Sequence, residues 1–119
     1  MGWDFKNGTP IYQQIVTNMK IRIANGTYQP GERVQAVRDL ALEAGVNPNT
    51  MQRALAELER DGLLRAERTS GRFVTEDEQV LKKLRSDLAR TFVGELYEKL
   101  EGLGMNKDEI LEAVDGWKG

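Results

Sequence analysis

Val46-Asn47-Pro48-Asn49-Thr50-Met51-Gln52-Arg53-Ala54-Leu55-Ala56-Glu57-Leu58-Glu59-Arg60-Asp61, with Gly45 before it and Gly62 after it, decides how this 119-residue chain folds. Asn47 can accept a hydrogen bond from an otherwise unpaired amide of the first helical turn, and Pro48 suits the first helical position, where its missing N–H costs nothing. Gly62 can adopt the left-handed conformation that ends a helix. Between these signals Met51, Ala54, Leu55 and Leu58 recur at helical spacing and form one apolar stripe. The opposite surface carries Asn49, Gln52, Arg53, Ala56 and Arg60, with no carboxylate before Glu57. Polar side chains of these types can hydrogen-bond the edges of purine bases. Taken alone, the pattern also fits an ordinary amphipathic surface helix. Its neighbours decide between the two.

Upstream, Ala36 to Ala44 reads as a short helix with Val37, Leu40 and Ala41 inward and Gly45 ending it. Only Gly45-Val46-Asn47 separates the two helices, a tight helix-turn-helix connection. Downstream, Leu63-Leu64-Arg65-Ala66-Glu67 and Gly71-Arg72-Phe73-Val74 read as two strands around Arg68-Thr69-Ser70. A hairpin directly after a helix-turn-helix is a wing, and its tip here carries Arg65, Arg68 and Arg72. Nearer the N-terminus, Thr9-Pro10 reads as a cap followed by a first-position proline, opening a helix that runs to about Asn25-Gly26. Ile11, Tyr12, Ile15, Val16, Met19 and Ile23 are expected to form its broad buried face, whereas Lys20 and Arg22 lie off that stripe and read as solvated rather than as phosphate contacts, the alternative. Thr27-Tyr28-Gln29-Pro30-Gly31 is a turn, and Glu32-Arg33-Val34 is expected as a short strand. Met1 to Gly8 reads as an arm whose Trp3 and Phe5 pack on the body.

From Glu76 the character changes. Leu81, Leu84, Leu88, Phe92, Leu96, Leu100 and Leu103 recur every three or four residues, so one long helix is expected to about Glu101, with Val80, Val93 and Tyr97 widening its stripe. Gly102-Leu103-Gly104 breaks it, and Asn106-Lys107-Asp108-Glu109 has the cap and third-position acid of a capping box. The last helix is expected to carry Ile110, Leu111, Val114 and Trp117. This hairpin is too small to bury both apolar faces alone. Leu81, Leu84, Leu88, Phe92, Leu96 and Leu100 are therefore assigned to pairing with a second copy rather than to packing back on the first domain, symmetric dimers being the commonest oligomer. The fold class is mainly α with a small β wing: a winged helix-turn-helix domain over residues 1–75, then a C-terminal helical hairpin over 76–119.

Composition excludes several functions. Cysteine and histidine are both absent, which removes disulfides, thiol chemistry and His-based acid/base catalysis and leaves a soft metal without its usual ligands. Glu57, Glu59 and Asp61, and likewise Asp108, Glu109 and Glu112, are helix-surface charges beside Lys or Arg, with no Gly-rich phosphate loop. No catalytic residue, metal site or cofactor is expected. No run of about 18 apolar residues is present, so no membrane partner is expected. The N-terminus shows no charged-then-apolar leader, and a cytoplasmic protein is expected. The formal charge of −2 is unevenly spread: Met1 to Thr75 holds ten Lys/Arg against eight Asp/Glu, and Glu76 to Gly119 holds seven against eleven. DNA contact would then depend on local clusters of Arg rather than on a strong global field.

Taken in order, Pro10-Ile11-Tyr12-Gln13-Gln14-Ile15, Gly26-Thr27-Tyr28-Gln29-Pro30-Gly31-Glu32-Arg33-Val34, Val37-Arg38-Asp39-Leu40-Ala41, Gly45 through Ala54, and Leu58-Glu59-Arg60-Asp61-Gly62-Leu63-Leu64 closely resemble the winged-helix domain of the GntR family of bacterial transcription regulators. The resemblance runs from about Thr9 to Val74. The short helical tail resembles the YtrA subfamily, whose small C-terminal region serves dimerisation. The resemblance implies a DNA-contacting set. Arg38 matches a family arginine that contacts DNA. Asn47, Pro48, Asn49, Thr50 and Gln52 fall on helix-start positions that meet phosphates and base edges, and Gly71 falls on the wing-tip glycine that enters the minor groove. Pro48 stands where other subfamilies place arginine, so that guanine contact is absent, with Arg53 or Arg68 as candidate substitutes. Gln35-Ala36 stands where the family usually has Pro-Ser; losing the serine cap costs the helix expected from Ala36 to Ala44 about 1 kcal/mol and bears on the aim of Arg38.

The reading is a sequence-specific regulator, a repressor, that binds double-stranded DNA as a homodimer at an inverted repeat. Asn49, Gln52 and Arg53 are expected in the major groove, Thr50 and Arg38 on phosphate, and wing residues including Arg68 and Arg72 along the minor groove. The alternative is a winged-helix protein-interaction scaffold without specific DNA binding, against which the Arg-bearing wing and the carboxylate-poor helix start both weigh. A small-molecule effector is not identified by the sequence. It could sit between tail and winged domain against Tyr97, Phe92 or Trp117, but such aromatics more often pack as core and dimer contacts.

Overall fold

The computed structural model describes residues 3–119, so Met1 and Gly2 of the expected arm lie outside the described residues. The element order is α1 (Ile11–Ala24), α2 (Val37–Ala44), α3 (Pro48–Arg60), β1 (Leu64–Glu67), β2 (Gly71–Val74), α4 (Glu78–Glu101) and α5 (Lys107–Asp115). The chain separates into two compact units, one reaching Arg85 and the other spanning Ser86–Gly119.

In the first unit α1 and α2 both pack on α3. Ile15, Met19, Leu40, Met51, Leu55, Leu58 and Val74 are fully buried, so the stripe of α3 is the centre of this core. Gly45 ends α2 in the left-handed region at φ 72°, which lets the chain turn directly into α3. β1 and β2 pair antiparallel, with Leu64 opposite Val74 and Glu67 opposite Gly71.

Several sequence expectations are corrected. Pro10 itself holds the cap position of α1, in an extended conformation with ψ 139° and without a side-chain cap bond, so Thr9 is not the cap and Ile11 is the first helical residue. Ile11 stays 37% exposed and Tyr12 half-buried; the continuous buried face begins at Ile15. Glu32-Arg33-Val34 is not a strand. It meets β2 through one bridge, Arg33 to Phe73, supported by Val34 N–H to Arg72 O and Val74 N–H to Glu32 O, both 2.9 Å.

Arg22 is not solvated but 5% exposed. Its guanidinium lies 4.1 Å from the centre of the Trp3 ring, and its Nε donates to Asn18 Oδ1 at 3.1 Å. Tyr28, buried beside it, donates its hydroxyl to Gln35 Oε1 at 2.8 Å. Burial pushes the Tyr28 phenol above its ordinary 10.0, against the opposing pull of Arg22. Lys20 is engaged by Asp61 at 3.8 Å.

Leu81 and Leu84, expected at a dimer contact, are buried within the single chain, in the turns of α4 that belong to the first unit. Farther along, Leu88, Tyr97 and Leu100 are half-buried, whereas Phe92, Val93 and Leu96 are exposed. α5 opens with the expected capping box: Glu109 N–H donates to Asn106 Oδ1 at 2.9 Å, and Asn106 N–H donates to Glu109 Oε1 at 3.0 Å. Ile110 is fully buried. Gly116 caps the end of α5, so Trp117 lies beyond the helix rather than on it, 78% exposed. Among the described residues, no helix is long and apolar enough to cross a membrane.

Candidate nucleic-acid interface

α3 owes its start to two adjacent residues. Asn47 is extended, and its Oδ1 accepts the Asn49 N–H at 2.7 Å. Pro48 follows as the first helical residue, where its missing N–H costs nothing. Asn47 therefore spends its side-chain acceptor on aiming the helix. The complete burial of Met51, Ala54, Leu55 and Leu58 fixes the rotation of α3 and turns Asn47, Pro48, Asn49, Gln52 and Arg53 to solvent, with Thr50 half-buried. The first turn contains no acidic side chain. Its dipole then favours an approaching anion.

The arginines divide into free and engaged. Arg38, in the first turn of α2, and Arg68, at the wing tip, are exposed, and among the described residues no side-chain hydrogen bond or ion pair holds either. Arg65 pairs with Glu67 at 3.0 Å and lies 5.6 Å from the Phe73 ring centre. Arg72, expected among the DNA contacts, is half-buried and paired through Nε with Glu59 of α3. That pairing ties the wing to the end of α3. Gly71 opens β2 at φ 103°, where a β-carbon would also come within 2.9 Å of Arg33 Nε. The left-handed conformation is what favours glycine here, since the exposed Arg33 side chain could swing aside.

The structure thus gathers Asn47, Pro48, Asn49, Thr50, Gln52 and Arg53 on one side of α3, with Arg38 on α2 and Arg68 and Gly71 on the wing. Two residues that the sequence did not single out join them. Tyr12, assigned to the core of α1, lies under Arg53 with the guanidinium 3.7 Å from its ring centre. Arg33 lies against Gly71. Neither contact has a local signal, because the partners are distant in sequence. Among the described residues, no group of three or more His, Cys, Asp or Glu is placed to hold a metal ion.

Residues 11–74 match the family described as bacterial regulatory proteins, gntR family. The HTH-type transcriptional regulator YhcF of Bacillus subtilis is 33% identical over 110 residues, covering 92% of this chain and 91% of that one. The HTH-type transcriptional repressor YtrA of the same organism is 39% identical over 74 residues, which is 62% of this chain and 57% of YtrA. A solved GntR family transcriptional regulator from Listeria monocytogenes superposes with a TM-score of 0.86 at 36% identity, covering 96% of this chain and all of that one. The likeness to YhcF and to the Listeria protein includes the helical tail as well as the winged domain. This chain belongs to the GntR family of bacterial regulatory proteins: it is a transcription regulator with a DNA-binding winged helix-turn-helix.

Proposed function

We propose that the protein is a cytoplasmic, sequence-specific repressor that binds an inverted-repeat operator as a homodimer. The exposed polar side of α3, on a helix whose other side is wholly buried, carries this reading. Asn49 and Gln52 are positioned to take adenine edges, and each such pairing is worth about 1–3 kcal/mol of discrimination. Arg38 and Thr50 hold phosphate, and Arg68 follows the minor groove beside Gly71. Arg72 acts indirectly, keeping the wing at its angle through Glu59. Residues 1–75 form the DNA-binding part, and the tail from Glu76 supplies the second-copy contact.

The dimer is supported by the apolar surface of the second unit. Phe92, Val93, Leu96, Leu111, Val114 and Trp117 are all exposed there, and a cluster of large apolar side chains on one small unit favours an association surface. A groove of about 300 Å³ lined by Leu96, Leu100, Ala113, Val114 and Trp117 gives this surface the relief that a second copy can fill. Repression is the role named for the relative YtrA.

Selection of bound sites from random duplex DNA tests the whole reading. The expected result is a two-fold symmetric site with half-sites about one helical turn apart. Gln52→Ala should relax a single base position, while Arg38→Ala should weaken operator and random duplex together. Unchanged operator affinity in both variants at moderate salt would overturn the assignment.

A further inference from the structure

The first turn of α1 and the first half of α3 border an open depression of about 380 Å³, lined by Ile11, Tyr12, Asn49, Thr50 and Arg53. Its polar lining is a phenol, an amide, a hydroxyl and a guanidinium, with no carboxylate among them. Arg53 is exposed, yet it is not loose. Its guanidinium is stacked 3.7 Å above the centre of the half-buried Tyr12 ring. Stacking covers one face of the guanidinium and leaves its N–H edges available for a forked, two-point contact with an oxyanion.

We propose that this depression seats a DNA backbone phosphate flanking the bases read by α3, with Arg53 as the phosphate-binding group and Tyr12 as the positioning residue that holds it. The proposal rests on the DNA-binding reading above and refines it, because it moves Arg53 from the base-reading set to the backbone. Three observations favour phosphate over a base edge. The stack draws Arg53 from α3 towards α1, to the flank of the recognition surface. Thr50 adds a neutral donor at the positive end of the α3 dipole, which favours an anion over a neutral base. An arginine already held flat by a ring loses less freedom on forming its forked contact than a mobile one.

The test compares the full-length protein with Arg53→Gln, Tyr12→Leu and Tyr12→Phe, titrated against a random-sequence duplex and against a duplex selected by the unsubstituted protein, over a range of salt. Arg53→Gln should reduce the slope of log K against log salt by about 0.9 per bound protomer and weaken both duplexes alike. Between 50 and 200 mM salt, that missing contact makes the affinity loss about 3- to 4-fold smaller per protomer. Tyr12→Leu should move in the same direction with an unaltered thermal midpoint. Tyr12→Phe, which keeps the ring and loses the hydroxyl, should match the unsubstituted protein. The proposal is overturned if Arg53→Gln instead relaxes one base position and leaves random-duplex affinity intact. It is also overturned if Tyr12→Leu is indistinguishable from the unsubstituted protein, or if Tyr12→Phe is as impaired as Tyr12→Leu. A salt-independent unsubstituted protein would sink the DNA-binding reading itself, a different outcome from a steep slope that the variants leave unchanged.

Discussion

α3 and the part of α4 beyond Ser86 carry apolar residues at the same helical spacing, and the structure treats them in opposite ways. Met51, Ala54, Leu55 and Leu58 of α3 are all 0% exposed, covered by α1 and α2 of the same unit. Phe92, Val93 and Leu96 of α4 remain in solvent, and of the residues α5 contributes only Ile110 is fully buried. Periodicity declares that a face must be covered; it does not say by what. Coverage supplied within one unit makes the face a core. Where the unit is too small to supply it, the same pattern leaves an uncovered face, which is what the proposed second copy would fill.

Truncation gives the largest difference between the two. Leu58→Ala should cost the first unit about 2–5 kcal/mol, because a fully packed site leaves a cavity when its side chain shrinks. Leu96→Ala, measured at a concentration low enough to keep the chains apart, should fall within roughly 0.5 kcal/mol of no effect. The two tryptophans permit separate readings, since Trp3 belongs to the first unit and Trp117 to the second. Urea unfolding followed through each in turn, with the other replaced by Phe, gives both numbers. Comparable losses would mean that the tail has a closed core of its own.

Introducing charge sharpens the comparison from the association side. Leu96→Glu places a carboxylate on the proposed contact in both copies and should weaken self-association by about 2 kcal/mol or more, roughly 30-fold, as seen by sedimentation equilibrium. Unfolding of the first unit should be unaffected. An unchanged sedimentation profile would remove the second copy from this face and leave the groove beside Trp117 to another occupant.

The contrast also marks what could be read in advance. Local signals were legible: Asn47 and Pro48 opening α3, Gly45 ending α2, and the box of Asn106 and Glu109 all involve residues within a few positions of one another. Contacts between distant side chains were not. Arg22 under Trp3, Arg53 on Tyr12 and Arg72 on Glu59 join polar groups whose spacing along the chain carries no information. Two of these three changed the reading of a candidate DNA contact. The leucine repeat of α4 likewise gave no sign that Leu81 and Leu84 would be buried by the first unit while Leu96 was not. Residue identities alone singled out α3 as the candidate recognition helix, but the state of each arginine on and around it depended on packing.

The finest distinction concerns helix starts. α3 and α5 each begin with an asparagine that accepts a backbone N–H, whereas α2 begins at Ala36 with no side-chain cap bond. Ala36→Ser should supply that acceptor and stabilise the first unit by up to about 1 kcal/mol, read through Trp3. Asn106→Ala should remove a similar amount from the second unit, read through Trp117. Operator affinity offers a sharper use of the first variant. Ala36 already holds the extended backbone of a cap, with φ −61° and ψ 153°, and Leu40 and Ala41 anchor the helix from within the core. The direction of α2, and with it the place of Arg38, is therefore set without the missing hydroxyl. Ala36→Ser should raise stability and leave DNA affinity where it was. A parallel rise in affinity would show that Arg38 is misaimed in the natural sequence and that the cap, rather than the core, directs it.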